Sequence, residues 1–101
     1  MYDFKKYLIL VVDDEKRALN SFKYSFEDDF NIIFAQSATD AEKILNDRAS
    51  EISVILSDHK MPNGLSGLDF LKKCATTHPD IVKILTTAYS NHDLAIDAVN
   101  S

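Results

Sequence analysis

Ile52-Ser53-Val54-Ile55-Leu56-Ser57-Asp58-His59-Lys60-Met61-Pro62 is a short apolar run that stops at an aspartate and then turns. A run of this length, rich in apolar residues and flanked by helical patterns, marks a strand buried on both faces of a parallel sheet. Asp58 then stands at the carboxyl end of that sheet. Open α/β sheets bind ligands at this edge, because the loops splay apart there and the following helices offer free N–H groups.

A second run, Tyr7-Leu8-Ile9-Leu10-Val11-Val12, ends the same way, in Asp13-Asp14. If the two strands are parallel neighbours, three carboxylates converge. Two unit charges about 4 Å apart cost roughly 4 kcal/mol at an effective dielectric near 20, so such a cluster requires a cation or protons. Hard oxygen ligands on rigid strand ends suit Mg²⁺, which takes only a few protein carboxylates and keeps several waters.

Outward from these two strands, the pattern alternates. Glu15 to Glu27 carries Ala18, Leu19, Phe22 and Phe26 on one helical stripe. Phe30 to Ala35 is β-like, and Ser37-Ala-Thr-Asp40 opens a helix with a capping serine, buried through Ala41, Ile44 and Leu45. After a loop over 58–66, a helix from about Gly67 to Thr77 presents Leu68, Leu71, Cys74 and Ala75, and the proline of His78-Pro79-Asp80 ends it. Ile81 to Thr86 is a fourth strand, and a fourth helix is expected from near Asn91 through Leu94, Ala95, Ala98 and Val99. Strands alternating with helices give a parallel sheet covered on both faces by right-handed crossovers.

The 101 residues make one domain, 1–101, with an ordinary soluble composition of 46% apolar and 27% charged residues. The early apolar run meets Asp-Asp-Glu at once and is no signal-peptide core, so a cytoplasmic protein without a membrane span is expected. Eleven basic against sixteen acidic residues give a net charge of −5, which argues against direct nucleic-acid binding. The single cysteine, Cys74, shares a helical face with Leu71 and reads as a core residue. His59, His78 and His92 lack ligand spacing, although His59 neighbours the acidic cluster.

Three motifs now stand in order at strand ends: Val11-Val12-Asp13-Asp14-Glu15, Ser57-Asp58-His59-Lys60-Met61-Pro62, and Leu85-Thr86-Thr87-Ala88-Tyr89. Each is weak alone; together they make the whole chain resemble the receiver domain of two-component response regulators. The resemblance implies a flavodoxin-like, doubly wound fold with strand order 2-1-3-4. It implies that Asp58 is the phosphoacceptor for a histidine kinase or phosphotransfer protein, in a signalling module rather than an enzyme. Asp14 would ligate Mg²⁺ directly, Asp13 mainly through water, and Lys60 through its backbone carbonyl. Thr87 would hydrogen-bond a phosphoryl oxygen, Ala88 would leave room for it, and Lys60 and Tyr89 would border it.

Two departures from the family pattern follow. The loop Met61-Pro-Asn-Gly-Leu-Ser-Gly67 is one residue longer than the family's, and Gly64 and Gly67 are expected to absorb the extra residue at positive φ. Receivers also have a fifth strand, bearing a lysine near its end, and a fifth helix; the sequence stops at Ser101 before either, and Lys83 lies inside strand four. Strand four should therefore be an open apolar edge beside an uncovered strip over strands one and three, through which the chain self-associates. An output domain beyond Ser101 is a further expectation.

Simpler readings exist for single residues. One aspartate could be a turn residue or helix cap, and Thr86 is expected to be a strand former and nothing more. A phosphatase with an aspartate nucleophile usually needs a second aspartate two residues on, where Lys60 stands. A receiver-like scaffold that is never phosphorylated is the other alternative, supported by the missing lysine.

Overall fold

The computed structural model describes residues 6–59, 66–88 and 94–98, with the side chains of 87, 88 and 94–98 left out of the description. In chain order the elements are β1 (Leu8–Val12), α1 (Lys16–Phe26), β2 (Asn31–Ala35), α2 (Ala38–Arg48), a 3₁₀ turn at Ala49–Glu51, β3 (Ile52–Asp58), α3 (Gly67–Thr77), β4 (Val82–Ala88) and β5 (Leu94–Ala98). The first four strands are parallel, as the alternating pattern predicts, and lie in the order β2-β1-β3-β4 that the receiver resemblance implies.

Both faces of β1 are buried, which is why its sequence is apolar without alternation. Leu10 and Val12 join the larger core, with Ile55, Phe70, Leu71, Cys74 and Leu85. Ile9 and Val11 turn the other way, toward Leu19 and Phe22 of α1. The β1–β3 register skips Ser53, pairing Leu8 with Ile52 but Ile9 with Val54. One extra residue in a strand reverses the facing of all that follows. Val54 and Leu56 thereby pack on the α1 side, whereas Ile52 and Ile55 enter the larger core.

The helix starts follow local chemistry. Ser37 accepts a hydrogen bond from the Asp40 N–H at 3.1 Å, and Ser66 accepts one from Asp69 N–H at 3.1 Å. Each satisfies an N–H that the first helical turn leaves without an intrahelical partner. α3 ends at His78, directly before Pro79, as expected.

The segment expected to be a fourth helix is a strand instead. β5 runs antiparallel to β4, with Thr86 opposite Ile96 and Ala88 opposite Leu94. Two physical reasons account for the difference. The outer edge of β4 presents N–H and C=O groups that a neighbouring strand can pair, and a parallel return needs a crossover of a dozen or more residues, whereas only residues 89–93 separate the two strands. Leu94, Ile96 and Ala98 also alternate with Ala95 and Asp97, so the sequence fits a period of two as well as a helical one. The β4 edge is consequently not open. The open edge expected from the sequence is corrected by the pairing with β5.

The uncovered strip over β1 and β3 is present as a groove of about 390 Å³ between α1 and the sheet, with Val11, Leu56, Phe22 and Phe26 among its walls. Phe26 is only partly covered, stacking on Phe22 at 4.7 Å between centroids.

Faces of unequal burial should respond unequally to truncation. Ile55 is wholly buried, whereas Val82 is 41% exposed. Ile55→Ala is expected to cost about 2–5 kcal/mol and Val82→Ala less than about 1 kcal/mol, as read by urea denaturation; equal costs would contradict this assignment of faces.

Candidate functional site

Parallel pairing of β1 with β3 matches Val12 to Ser57, so the next residues, Asp13 and Asp58, leave the sheet side by side. One carboxylate oxygen from each of Asp13, Asp14 and Asp58 lies within 4.8 Å of the others. The three acids of the sequence reading are thus brought together. Asp13 is anchored at both ends of its residue: its N–H donates to Ala35 O at 3.0 Å, and its Oδ1 accepts the Glu15 N–H at 3.0 Å.

The charges are not at ease. Burial, above all, pushes the Asp13 carboxyl from 3.8 up to about 6; the Glu15 N–H pulls it back, and the charges of Asp58, Asp14 and Glu15 raise it further. Asp58 is raised too, again chiefly by burial and against the lowering effect of the His59 amide, with Asp14 and Glu15 adding repulsion. Such a cluster favours protons or a cation.

The residues fit Mg²⁺. All three donors are carboxylate oxygens, the hard ligands this ion prefers, and two oxygens bound directly at about 2.1 Å can lie no more than about 4.2 Å apart. A spread of up to 4.8 Å suits a site in which one carboxylate is held through water.

A family model described as the response regulator receiver domain matches residues 9–101. The chain belongs to that family. The hydrogenase transcriptional regulatory protein HoxA of Cupriavidus necator is 35% identical over 95% of this chain, and HoxA of Bradyrhizobium diazoefficiens is 37% identical over 91%. The chain spans only 19% and 18% of those two relatives' lengths. Among solved structures, a receiver domain from Clostridium thermocellum superposes with a TM-score of 0.76 at 32% identity, covering 84% of this chain and 68% of that one. The response regulator TrrA from Thermotoga maritima, solved with Mg²⁺ and BeF, gives 0.73 at 31% identity, covering 84% and 72%.

Not every receiver position falls within the described residues. The side chains of Thr87 and Ala88 lie outside them, as do Lys60, Met61, Pro62, Gly64 and Tyr89. Lys83 is 1% exposed and alternates with Ile81 and Leu85, which enter the larger core; Asp58 lines the groove beside α1, on the opposite face. Lys83 therefore does not reach the acidic cluster from its place in β4. Cys74 is buried and its thiol is pushed up to about 11, as befits a core residue. His59 flanks the site, its Nδ1 buried without a hydrogen-bond partner among the described residues.

Three residues at the site were not singled out as such by sequence reasoning. Gly67 was expected at positive φ, yet it is the first residue of α3 and does not adopt that conformation. Its role is close approach: a Cβ there would lie 1.8 Å from Asp58 O, while its N–H donates to His59 O at 2.9 Å. Ser57, fully buried, donates its hydroxyl to Asp58 O at 3.0 Å. Thr86 sits in register with Asp58, and its Oγ1 donates to Ser57 O at 3.4 Å. The proximity of Gly67 to strand three depends on how α3 returns to the sheet, which no local pattern carries.

Gly67→Ala should force α3 away from the end of β3 and cost about 1–3 kcal/mol or more, measured by thermal unfolding; a variant of unchanged stability would contradict the contact. The raised Asp13 carboxyl has a signed consequence. Between 3.8 and about 6 the folded chain keeps a proton that the unfolded chain has released, so stability falls as pH rises through that window, and the penalty stands in full above it. Asp58, raised in the same direction, adds to the slope. Asp13→Asn should flatten it and stabilise the chain near neutral pH by about 1 kcal/mol, after allowing for solvent screening of a half-exposed group. Urea midpoints from about pH 4 to about pH 7 test this, and an unaltered slope would refute it.

Proposed function

We propose that this receiver accepts a phosphoryl group on Asp58 from a phosphohistidine of a sensor kinase or phosphotransfer protein. The observation that supports the reading is the convergence of Asp13, Asp14 and Asp58 within 4.8 Å at the ends of two parallel strands. An Asp58 carboxylate oxygen attacks phosphorus as the phosphorus–nitrogen bond of the donor breaks and its imidazole leaves, giving an acyl phosphate. A phosphoryl group in transfer is metaphosphate-like, so the protein contributes positioning and charge neutralisation more than covalent chemistry.

Asp14 and Asp58 would hold Mg²⁺ directly, with Asp13 through water and the Lys60 backbone carbonyl completing the protein ligands. The bound ion would supply the positive charge that offsets both the carboxylates and the incoming phosphoryl oxygens. Asp13 adds its negative charge to the pocket most fully above about pH 6. Thr87 would hydrogen-bond a phosphoryl oxygen and Ala88 would leave space for it. The HoxA and AlgB relatives are transcriptional regulators by name, and the chain matches about a fifth of their length. This receiver accordingly serves as the input module of a longer cytoplasmic regulator. No described helix is long and apolar enough to cross a membrane.

Incubation with acetyl phosphate and Mg²⁺, followed by intact-mass measurement, tests the reading. One phosphoryl group is expected on the wild-type chain and none on Asp58→Asn or after chelation of the metal. An unchanged wild-type mass, or an Asp58→Asn chain that still gains the group, would overturn the assignment.

A further inference from the structure

We infer that Thr86 is a positioning residue that clamps the Asp58 backbone from both sides, an inference that rests on Asp58 being the acceptor. Its hydroxyl donates to the carbonyl of Ser57, the residue before Asp58, at 3.4 Å. Its own carbonyl accepts the N–H of His59, the residue after Asp58, at 3.1 Å. Thr86 is the Cα partner of Asp58 in the β3–β4 ladder, and the two side chains line the same groove together with Asp13.

The second of these bonds is ordinary strand pairing, which the backbone carbonyl of any residue at this position could accept. The first is not. A backbone carbonyl at a strand end has a spare lone pair, and a hydroxyl that takes it fixes the tilt of the following peptide. That peptide belongs to Asp58, whose own carbonyl is already held by the Ser57 hydroxyl at 3.0 Å. The side chain's direction from Cα follows from the backbone so fixed, and reactions that depend on in-line attack lose rate when the attacking atom is misaimed. A valine would fill the same β-branched volume and leave Ser57 O without this partner.

The test sets Thr86→Val, which keeps shape and removes the hydroxyl, against Thr86→Ser, which keeps the hydroxyl. Phosphorylation by acetyl phosphate at saturating Mg²⁺ should slow about threefold to tenfold in T86V, the range for losing one hydrogen bond, with Mg²⁺ affinity and denaturation midpoint close to wild type. T86S should recover to within about twofold. The ¹³C resonance of the Asp58 carboxyl carbon, recorded without any phosphoryl donor, should move in T86V and return in T86S. A wild-type rate in T86V, or a T86S as slow as T86V, overturns the inference. Should the wild-type chain accept no phosphoryl group, the acceptor reading fails by itself, and the clamp is decided by the carboxyl resonance: moved and restored upholds it, unmoved overturns it. If T86V folds poorly, Thr86→Ala read against T86S carries the same contrast.

Discussion

Parallel pairing of β1 with β3 is the constraint on which the rest of the molecule depends, because it forces like charges together. At 4.8 Å and an effective dielectric near 20, a pair of ionised carboxylates repels by about 3.5 kcal/mol. Solvent screening of these partly exposed groups reduces the net cost well below that, but it remains a cost against a net stability of only about 5–15 kcal/mol. The chain relieves the repulsion locally by donating the Glu15 N–H to Asp13 and by holding the Asp13 and Asp58 carboxyls above their ordinary range. Asp13, raised to about 6, still carries its charge at neutral pH. What remains is a concentration of negative charge built into the fold at the expense of stability.

Such a site must be held rigidly, and the surrounding bonds are mostly made by backbone groups. Ala35 O fixes Asp13, Thr86 O fixes His59, and His59 O receives the Gly67 N–H. β1, β2, β3, β4 and the start of α3 therefore meet at one corner of the sheet. The absence of a Cβ on Gly67 lets α3 approach Asp58 O more closely than any other residue would allow. The larger core behind this corner, from Leu10 and Val12 to Phe70 and Leu71, supplies the burial that keeps it in place.

Much of this was legible in the chain. Apolar runs ending in Asp13-Asp14 and Asp58 gave the strands and the acidic cluster, because strand burial and charge convergence are both local signals once parallel pairing is assumed, whereas the strand order came from the resemblance to receivers. The caps at Ser37 and the stop at His78 were legible for the same reason. The skipped Ser53, the approach of Gly67 and the hydroxyl of Thr86 were not, since each is defined by what a distant segment brings against it. β5 was misjudged because Leu94–Ala98 fits two periods, and the unpaired edge of β4 decided between them.

That last strand bears on the site by a direct route. Asp58 pairs with Thr86 across β3 and β4, and Thr86 pairs with Ile96 across β4 and β5, so a single ladder row runs from the acidic cluster to the outer edge of the sheet. β5 is the outermost strand, and two of its five residues are alanine, a good helix former and a poor strand former. Its pairing is sustained by the backbone bonds it offers β4 more than by its own propensity. On the other side of Thr86 stands β3, and there the hydrogen bonds to Ser57 and His59 hold Thr86 in register with Asp58.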